Sequence, residues 1–274
     1  MNPEEIEKIE LDLFLDALNW RYGYDFRNYA RASVRRRARQ ILAKSGMKHL
    51  SDLIPKLLHD EQFAVHAINE FSITVTEMFR DPTFFKTVRQ TIAPYLKTYP
   101  FIKIWVAGCA TGEEVYSLAV LLQEEGLYDR VKIYATDFNT DALKKAVDGI
   151  YALKDIQLYT GNYQKAGGRQ AFSDYFLAEY NSAIIDQALK SNIFFANHNL
   201  VTDGAFHEVQ AIFCRNVFIY FDRSLQNRVA KVFAESLTHG GFLCLGSKES
   251  IEFSPVFDQF KVIDAGQRIY QKKV

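Results

Sequence analysis

The side chains best suited to chemistry fall in short runs, most of them just after a strand-like stretch. Gly108-Cys109-Ala110-Thr111-Gly112 sets five small residues between an apolar run and a helix-like one. Such a turn lets a backbone approach a nucleotide-like ligand closely. Glu113 and Glu114 follow, where a helix N-terminus favours negative charge. Asp137 closes a second apolar run, 29 positions after Gly108, where a carboxylate suits ribose hydroxyls. Asn199 and Asn216 also stand just after strand-like runs. Arg80 lies between Phe79 and the pair Phe84-Phe85. If it is buried there it needs an anionic partner; the plainer alternative is a surface arginine beside a helix cap. Six scattered histidines carry no ligand spacing, so no metal site is expected. Cys109, Cys214 and Cys244 are far apart in apolar runs and read as buried thiols in a reducing cytoplasm.

These residues need elements to hold them. Ile102–Ala107 has the composition of a buried strand, and Val115–Glu125 that of a helix with Leu118, Leu121 and Leu122 on one face. Val131–Asp137 is a second strand, and Ala142–Val147 a helix stopped by Gly149. Strand-like runs recur at 193–196, 209–214 and 242–246, with a helix over Arg223–Ser236. Residues 260–263 and 267–270 suit closing strands. Alternating strands and helices predict a mostly parallel sheet covered on both faces, with ligands at the carboxyl ends of its strands. Residues 150–190 show little pattern, and a short antiparallel insertion is expected there.

The first 90 residues read differently. Apolar positions recur at helical spacing, as in Leu50, Leu53, Ile54, Leu57 and Leu58, and no strand alternation appears. Asp81-Pro82 reads as a helix start, with Asp81 as the cap. Pro94 and Pro100 bracket the expected domain boundary, which divides the chain into a helical domain 1–90 and a sheet domain 91–274. Residues 1–20 hold six acidic and one basic side chain, whereas 21–60 hold ten basic and three acidic ones. The densest stretch contains Arg31, Arg35, Arg36, Arg37 and Arg39, with Arg35 and Arg39 on one helical face. It is either a solvated face or a docking surface for an acidic partner, and guanidinium favours the second.

Lys+Arg and Asp+Glu balance at 33 each, which argues against general nucleic-acid binding. The start, Met1–Glu10, lacks a secretory pattern, and no apolar run reaches the roughly 18 residues of a membrane span. A dinucleotide fingerprint needs Gly-x-Gly-x-x-Gly. Gly108-x-Ala110-x-Gly112 is instead the tighter pattern common to S-adenosylmethionine enzymes.

In order, Val75-Thr-Glu-Met-Phe-Arg-Asp-Pro82, Ala107-Gly-Cys-Ala-Thr-Gly-Glu-Glu-Val-Tyr-Ser117, Ala135-Thr-Asp-Phe-Asn139 and Phe213-Cys-Arg-Asn-Val-Phe-Ile-Tyr-Phe-Asp222 resemble the chemotaxis receptor methyltransferase (CheR) family. Leu245-Gly-Ser-Lys-Glu249 is similar to its late signature, and the resemblance covers nearly the whole chain. It implies a small all-α N-terminal domain on a Rossmann-like α/β methyltransferase domain that carries an antiparallel β-subdomain over about 150–190. It also implies methyl transfer from S-adenosylmethionine to glutamate side chains of chemoreceptors, leaving S-adenosylhomocysteine. By motif position, Thr74, Thr76 and Arg80 line the cofactor site from the N-terminal side. The backbone turn is carried by Gly108 and Gly112. Glu113 takes the methionine end, with Glu114 as its alternative. Asp137 takes the ribose. Asn199-Leu200 and Asn216-Val217 contact the adenine or sulfonium end. Tyr220 and Arg80 stand at the transferring methyl, and Arg35, Arg36, Arg37 and Arg39 match a receptor-docking helix.

The implied partner is the acidic helical bundle of a chemoreceptor's cytoplasmic part. The enzyme is expected to be monomeric and cytoplasmic, recruited to membrane receptor arrays without inserting, and no tether or repeat domain is expected after the last strand. A glutamate carboxylate is ionised at neutral pH, so no general base is needed. Four positions depart from the family pattern. Thr74 stands where Asn is usual, Val115 where Pro is common, Met78 replaces Phe, and Lys248 interrupts a Ser-Glu pair. The competing readings are a cofactor-binding regulatory protein without turnover and a methyltransferase of another substrate class, such as RNA.

Overall fold

The computed structural model describes residues 1–205 and 208–274. Four helices open the chain: α1 (Pro3–Tyr22), α2 (Arg31–Ser45), α3 (Leu53–His59) and α4 (Glu61–Phe71). Their ends carry local signals. Asn2 and Glu5 form a capping box with Pro3 in the first turn of α1, and Gly23 closes it at φ 77°. Asp60 caps α4 by accepting from Phe63 N at 3.0 Å. Leu11, Phe14, Leu15 and Leu18 of α1 pack with Val34, Ala38 and Ile41 of α2 and with Phe71 in one core.

That core ends at Phe71, short of the boundary expected near residue 90. Residues 72–81 cross over without regular structure. Then α5 (Pro82–Thr87), a π-turn (Val88–Ile92) and α6 (Ala93–Leu96) run on continuously. Phe84, Phe85, Val88, Ile92 and Leu96 bury themselves in the core of the sheet domain. The helical reading of the first 90 residues covers helices on both sides of this crossing, but periodicity does not say which core a helix joins.

The sheet domain continues with β1 (Ile102–Ala107), α7 (Glu113–Glu124), β2 (Val131–Asp137), α8 (Thr140–Asp148), β3 (Ile150–Ala152), α9 (Leu153–Lys165), β4 (Phe176–Glu179), β5 (Ser182–Ile185), β6 (Ile193–Asn197), β7 (Val209–Cys214), α10 (Arg223–Ser236), β8 (Leu237–Leu245), β9 (Phe260–Asp264) and β10 (Ile269–Lys272). Among the described residues the main sheet has the order β6-β2-β1-β7-β8-β10-β9. The first five strands are parallel, and β10 and β9 close the sheet antiparallel. Central strands of such a sheet are buried on both faces. In β1, Ile104 and Val106 join one core while Trp105 and Ala107 join the other, so the period of two delivers alternate side chains to opposite layers.

The patternless stretch forms a three-stranded antiparallel sheet, β3-β5-β4. It also contains α9, a 13-residue helix absent from the sequence-based expectation. Its few inward residues, Tyr159, Asn162 and Tyr163, are half-polar and give a weak apolar period. Asn162 Nδ2 donates to Met78 O at 3.1 Å, so the insertion props the crossing segment. The helical unit is stitched to the sheet by Ala30 N donating to Tyr220 O at 2.7 Å and Asp222 N donating to Asn28 O at 2.8 Å. Among the described residues no helix is long and apolar enough to cross a membrane.

Candidate active site

A cleft of about 920 Å³, including its open mouth, lies between the crossing segment and the carboxyl ends of β1, β2, β6 and β7. This is where a doubly wound sheet offers a ligand site. Thr74, Thr76, Arg80, Gly108, Glu114, Asp137, Asn199, Leu200, Asn216, Val217 and Tyr220 all line it. The two units of the chain each supply part of the wall.

The floor is the small-residue turn after β1. Gly108 has φ 75°, and a Cβ there would stand 2.5 Å from Val217 Cγ2. The glycine therefore lets the β1 and β7 turns close on one another. Ala110 also adopts a positive φ of 47°, and its N–H donates to Asp137 Oδ2 at 2.9 Å. Asn139 N donates to Asp137 Oδ1 at 2.9 Å. Asp137 is thereby fixed beside the turn, and burial raises its pKa above the usual carboxylate range while these N–H groups oppose the rise.

The two adjacent glutamates part ways, against the expected preference for Glu113. Glu114 lines the cleft. Glu113 turns into the protein, where it accepts from Thr111 Oγ1 at 2.6 Å and burial pushes its pKa up to about 7. Gly112 also lies outside the cleft wall. A Cβ there would meet Ala146 Cβ at 2.9 Å, so its service is the packing of α7 on α8. Consecutive helical residues point about 100° apart, which lets one glutamate face the cleft while the other turns inward.

Arg215 is a residue the sequence reading passed over. Its side chain is 1% exposed and ion-pairs Glu114 at 2.8 Å and Asp81 at 2.6 Å. It also donates to Arg80 O at 3.3 Å and lies 4.0 Å above the Phe84 ring. This corrects the reading of Asp81 as a side-chain cap. Asp81 precedes Pro82 with φ 57° and makes no capping hydrogen bond, because its carboxylate is engaged by Arg215. Arg215 Nε is buried without a hydrogen-bond partner among the described residues. Glu249 closes the late signature Leu245–Glu249. It accepts from Gly246 N at 2.6 Å, Asn216 N at 2.8 Å and Ile219 N at 3.2 Å, and so sets the turn after β7. Asn216 holds φ 63° in that turn, a conformation asparagine tolerates.

At the mouth, Arg80 donates to Val75 O at 3.3 Å and has no carboxylate partner among the described residues. Burial raises the Tyr220 pKa, against the opposing positive charge of Arg80, Arg37 and Arg36. The arginine run of α2 is split. Arg35 and Arg39 both pair with Glu7 of α1 at 2.5 Å. Those two arginines hold the Glu7 pKa down to about 2. Arg36 is exposed, and Arg37 donates to Gln40 Oε1 at 3.3 Å.

Residues 9–72 match the family described as "CheR methyltransferase, all-alpha domain", and residues 74–268 match "CheR methyltransferase, SAM binding domain". Cher3 of Pseudomonas putida is 47% identical over 99% of this chain and 100% of its own length. The chemotaxis protein methyltransferase of Borreliella burgdorferi is 29% identical, covering 90% of this chain and 89% of its own. That of Listeria innocua is 28% identical, covering 84% and 85%. With both halves of the chain matched and the cleft formed where they meet, the protein belongs to the CheR methyltransferase family and is an S-adenosylmethionine-dependent methyltransferase.

Proposed function

We propose that this chain methylates glutamate side chains of chemoreceptors, giving the methyl ester. The observation that carries the reading is the polarity of the cleft. Two carboxylates, Glu114 and Asp137, lie within it, and Arg80 stands at the mouth beside Tyr220 with no carboxylate partner among the described residues. An acidic substrate meets positive charge first, as electrostatic steering favours.

The residues present fit the cofactor. Asp137 stands beside the small-residue turn as an acceptor for a vicinal diol. Glu114, held by Arg215, is an acceptor for an ammonium group, in place of Glu113. Cys109, Leu200 and Val217 give apolar wall for a purine, and Asn199 and Asn216 supply amides at its edge. Thr74 and Thr76 offer hydroxyls from the crossing segment. The orphaned Arg215 Nε and the free face of Arg80 leave cationic donors for a carboxylate. When bound, the cofactor supplies an electrophilic methyl group on a sulfonium.

The remaining task falls to the protein. A substrate carboxylate is already ionised at neutral pH, so Arg80 and Tyr220 need only hold it in line and exclude water. Orientation of this kind can supply up to roughly 7–11 kcal/mol of a barrier. Arg36 and Arg37, on the flank of α2 that acts on Tyr220, are the docking residues. Arg35 and Arg39 join them only when an incoming carboxylate displaces Glu7.

The test is incubation with methyl-labelled S-adenosylmethionine and receptor-containing membranes. A carboxyl ester releases its label as methanol in mild alkali. Label that survives alkali, or that resides in RNA, would sink the proposal.

A further inference from the structure

Lys248 breaks the late signature, and nothing in the methyl-transfer site uses it. It lines a second cleft, of about 550 Å³, on the reverse side of the Asn216–Tyr220 turn. Arg223, at the start of α10, lines the same cleft with Gln226 and Asn227 one turn on. Glu249 forms its inner wall.

Two cations and one carboxylate line this cleft among the described residues. Among the described residues Lys248 makes no ion pair or hydrogen bond. Arg223 reaches only the Phe253 carbonyl at 3.4 Å, and its guanidinium lies 4.9 Å over the Phe253 ring. The neighbouring acids are engaged elsewhere. Asp222 accepts from Leu225 N at 2.9 Å, and Glu252 pairs with Arg268 at 3.2 Å. Glu249 is taken up by its three backbone N–H groups. Arg223 and Lys248 therefore present their charged ends to the cleft without a direct ion pair among the described residues, and the carboxylates nearest them are held by backbone N–H groups or by Arg268. Phe253 is 73% exposed and lies at this cleft.

We propose that this cleft is a second binding site, for a phosphate monoester carried on a flat aromatic group, which is the chemistry of a mononucleotide. Arg223 and Lys248 hold the phosphate oxygens through charge-assisted hydrogen bonds. The Phe253 ring offers a stacking face, and Gln226 and Asn227 offer amides to polar edges. The cleft is separate from the cofactor cleft, so the assignment does not depend on which substrate is methylated.

The test is calorimetric titration of the full chain with GMP and, separately, with inorganic phosphate. Saturating S-adenosylhomocysteine keeps either probe out of the cofactor cleft. Saturable binding is expected, weakened at least tenfold by Lys248→Ala and by Arg223→Ala. Tighter binding of GMP than of phosphate, lost in Phe253→Ala, assigns the aromatic face, and equal binding assigns the bare phosphate group as the ligand. Circular dichroism melts of each variant show that the fold is kept. No saturable heat from either probe at millimolar concentration overturns the proposal. So does affinity unchanged in the Lys248→Ala/Arg223→Ala double variant.

Discussion

Replacing Arg215 with Met tests how the cleft is held together. The arginine side chain is 1% exposed and bridges Glu114, 15% exposed, to Asp81, 42% exposed. Removing one partner of a buried pair leaves the other charge without compensation, typically at a loss of about 3–5 kcal/mol. The half-exposed Asp81 adds little, because water screens it. Loss of the contact over Phe84 adds about 0.5–2 kcal/mol, partly offset by the apolar methionine. Arg215→Met should therefore lose about 3–5 kcal/mol at neutral pH. Adding Glu114→Gln removes the stranded charge and should restore more than half of it.

Proton binding gives an independent check. Burial already raises the Glu114 pKa, and Arg215 opposes the rise, so it climbs further in Arg215→Met. A carboxyl group raised on folding contributes stability below its unfolded value of 4.5 and loses it as pH rises through the folded value. The Arg215→Met deficit should therefore shrink as pH falls toward the unfolded value. The double variant should show no such trend. Urea unfolding of the three proteins across this pH range measures both effects. A deficit that is equal at all pH values and is not relieved by Glu114→Gln would refute the pairing argument.

Gly108→Ala places a Cβ 2.5 Å from Val217 Cγ2 in a φ 75° backbone, which should destabilise by about 2–4 kcal/mol and weaken S-adenosylhomocysteine binding by calorimetry. Adding Val217→Ala should relieve the steric part, and strictly additive losses would contradict the geometry. Glu113 is held near pKa 7, so its contribution is present below 4.5 and lost as pH rises through about 7. Glu113→Gln should remove about 3 kcal/mol of that pH dependence in urea unfolding, without abolishing cofactor binding. Arg80→Lys should keep the fold yet reduce turnover by roughly tenfold to hundredfold, the value of a charge-assisted hydrogen bond. Near-normal turnover in that variant would remove Arg80 from the reaction.

Much of the sheet domain can be read directly from the chain. β1 and β2 are dense in branched and aromatic residues because both of their faces are covered, and the polar residues after them mark the ligand side. The arginine cluster of α2 stands out in the same way. Other features are illegible for physical reasons. α9 packs through tyrosines and an asparagine, which carry little apolar period. The helices after Pro82 look like their predecessors but bury their phenylalanines beneath the sheet. A helical stripe shows that a face is covered, but the partner is set by the path of the chain.

The sequence by itself determined the turn. Gly108 sits where positive φ and close approach are needed, small residues follow it, and Asp137 ends the adjoining strand, all within local spacing. Tertiary structure alone decided which charges meet there. Glu113 and Glu114 are chemically equivalent neighbours, and the seating of α7 on Ala146 turns one inward and the other toward Arg215, 101 positions away. Asp81 and Glu7 likewise belong to arginines distant in the chain. An ion pair depends on separation in space and on burial, and neither is written in the order of residues.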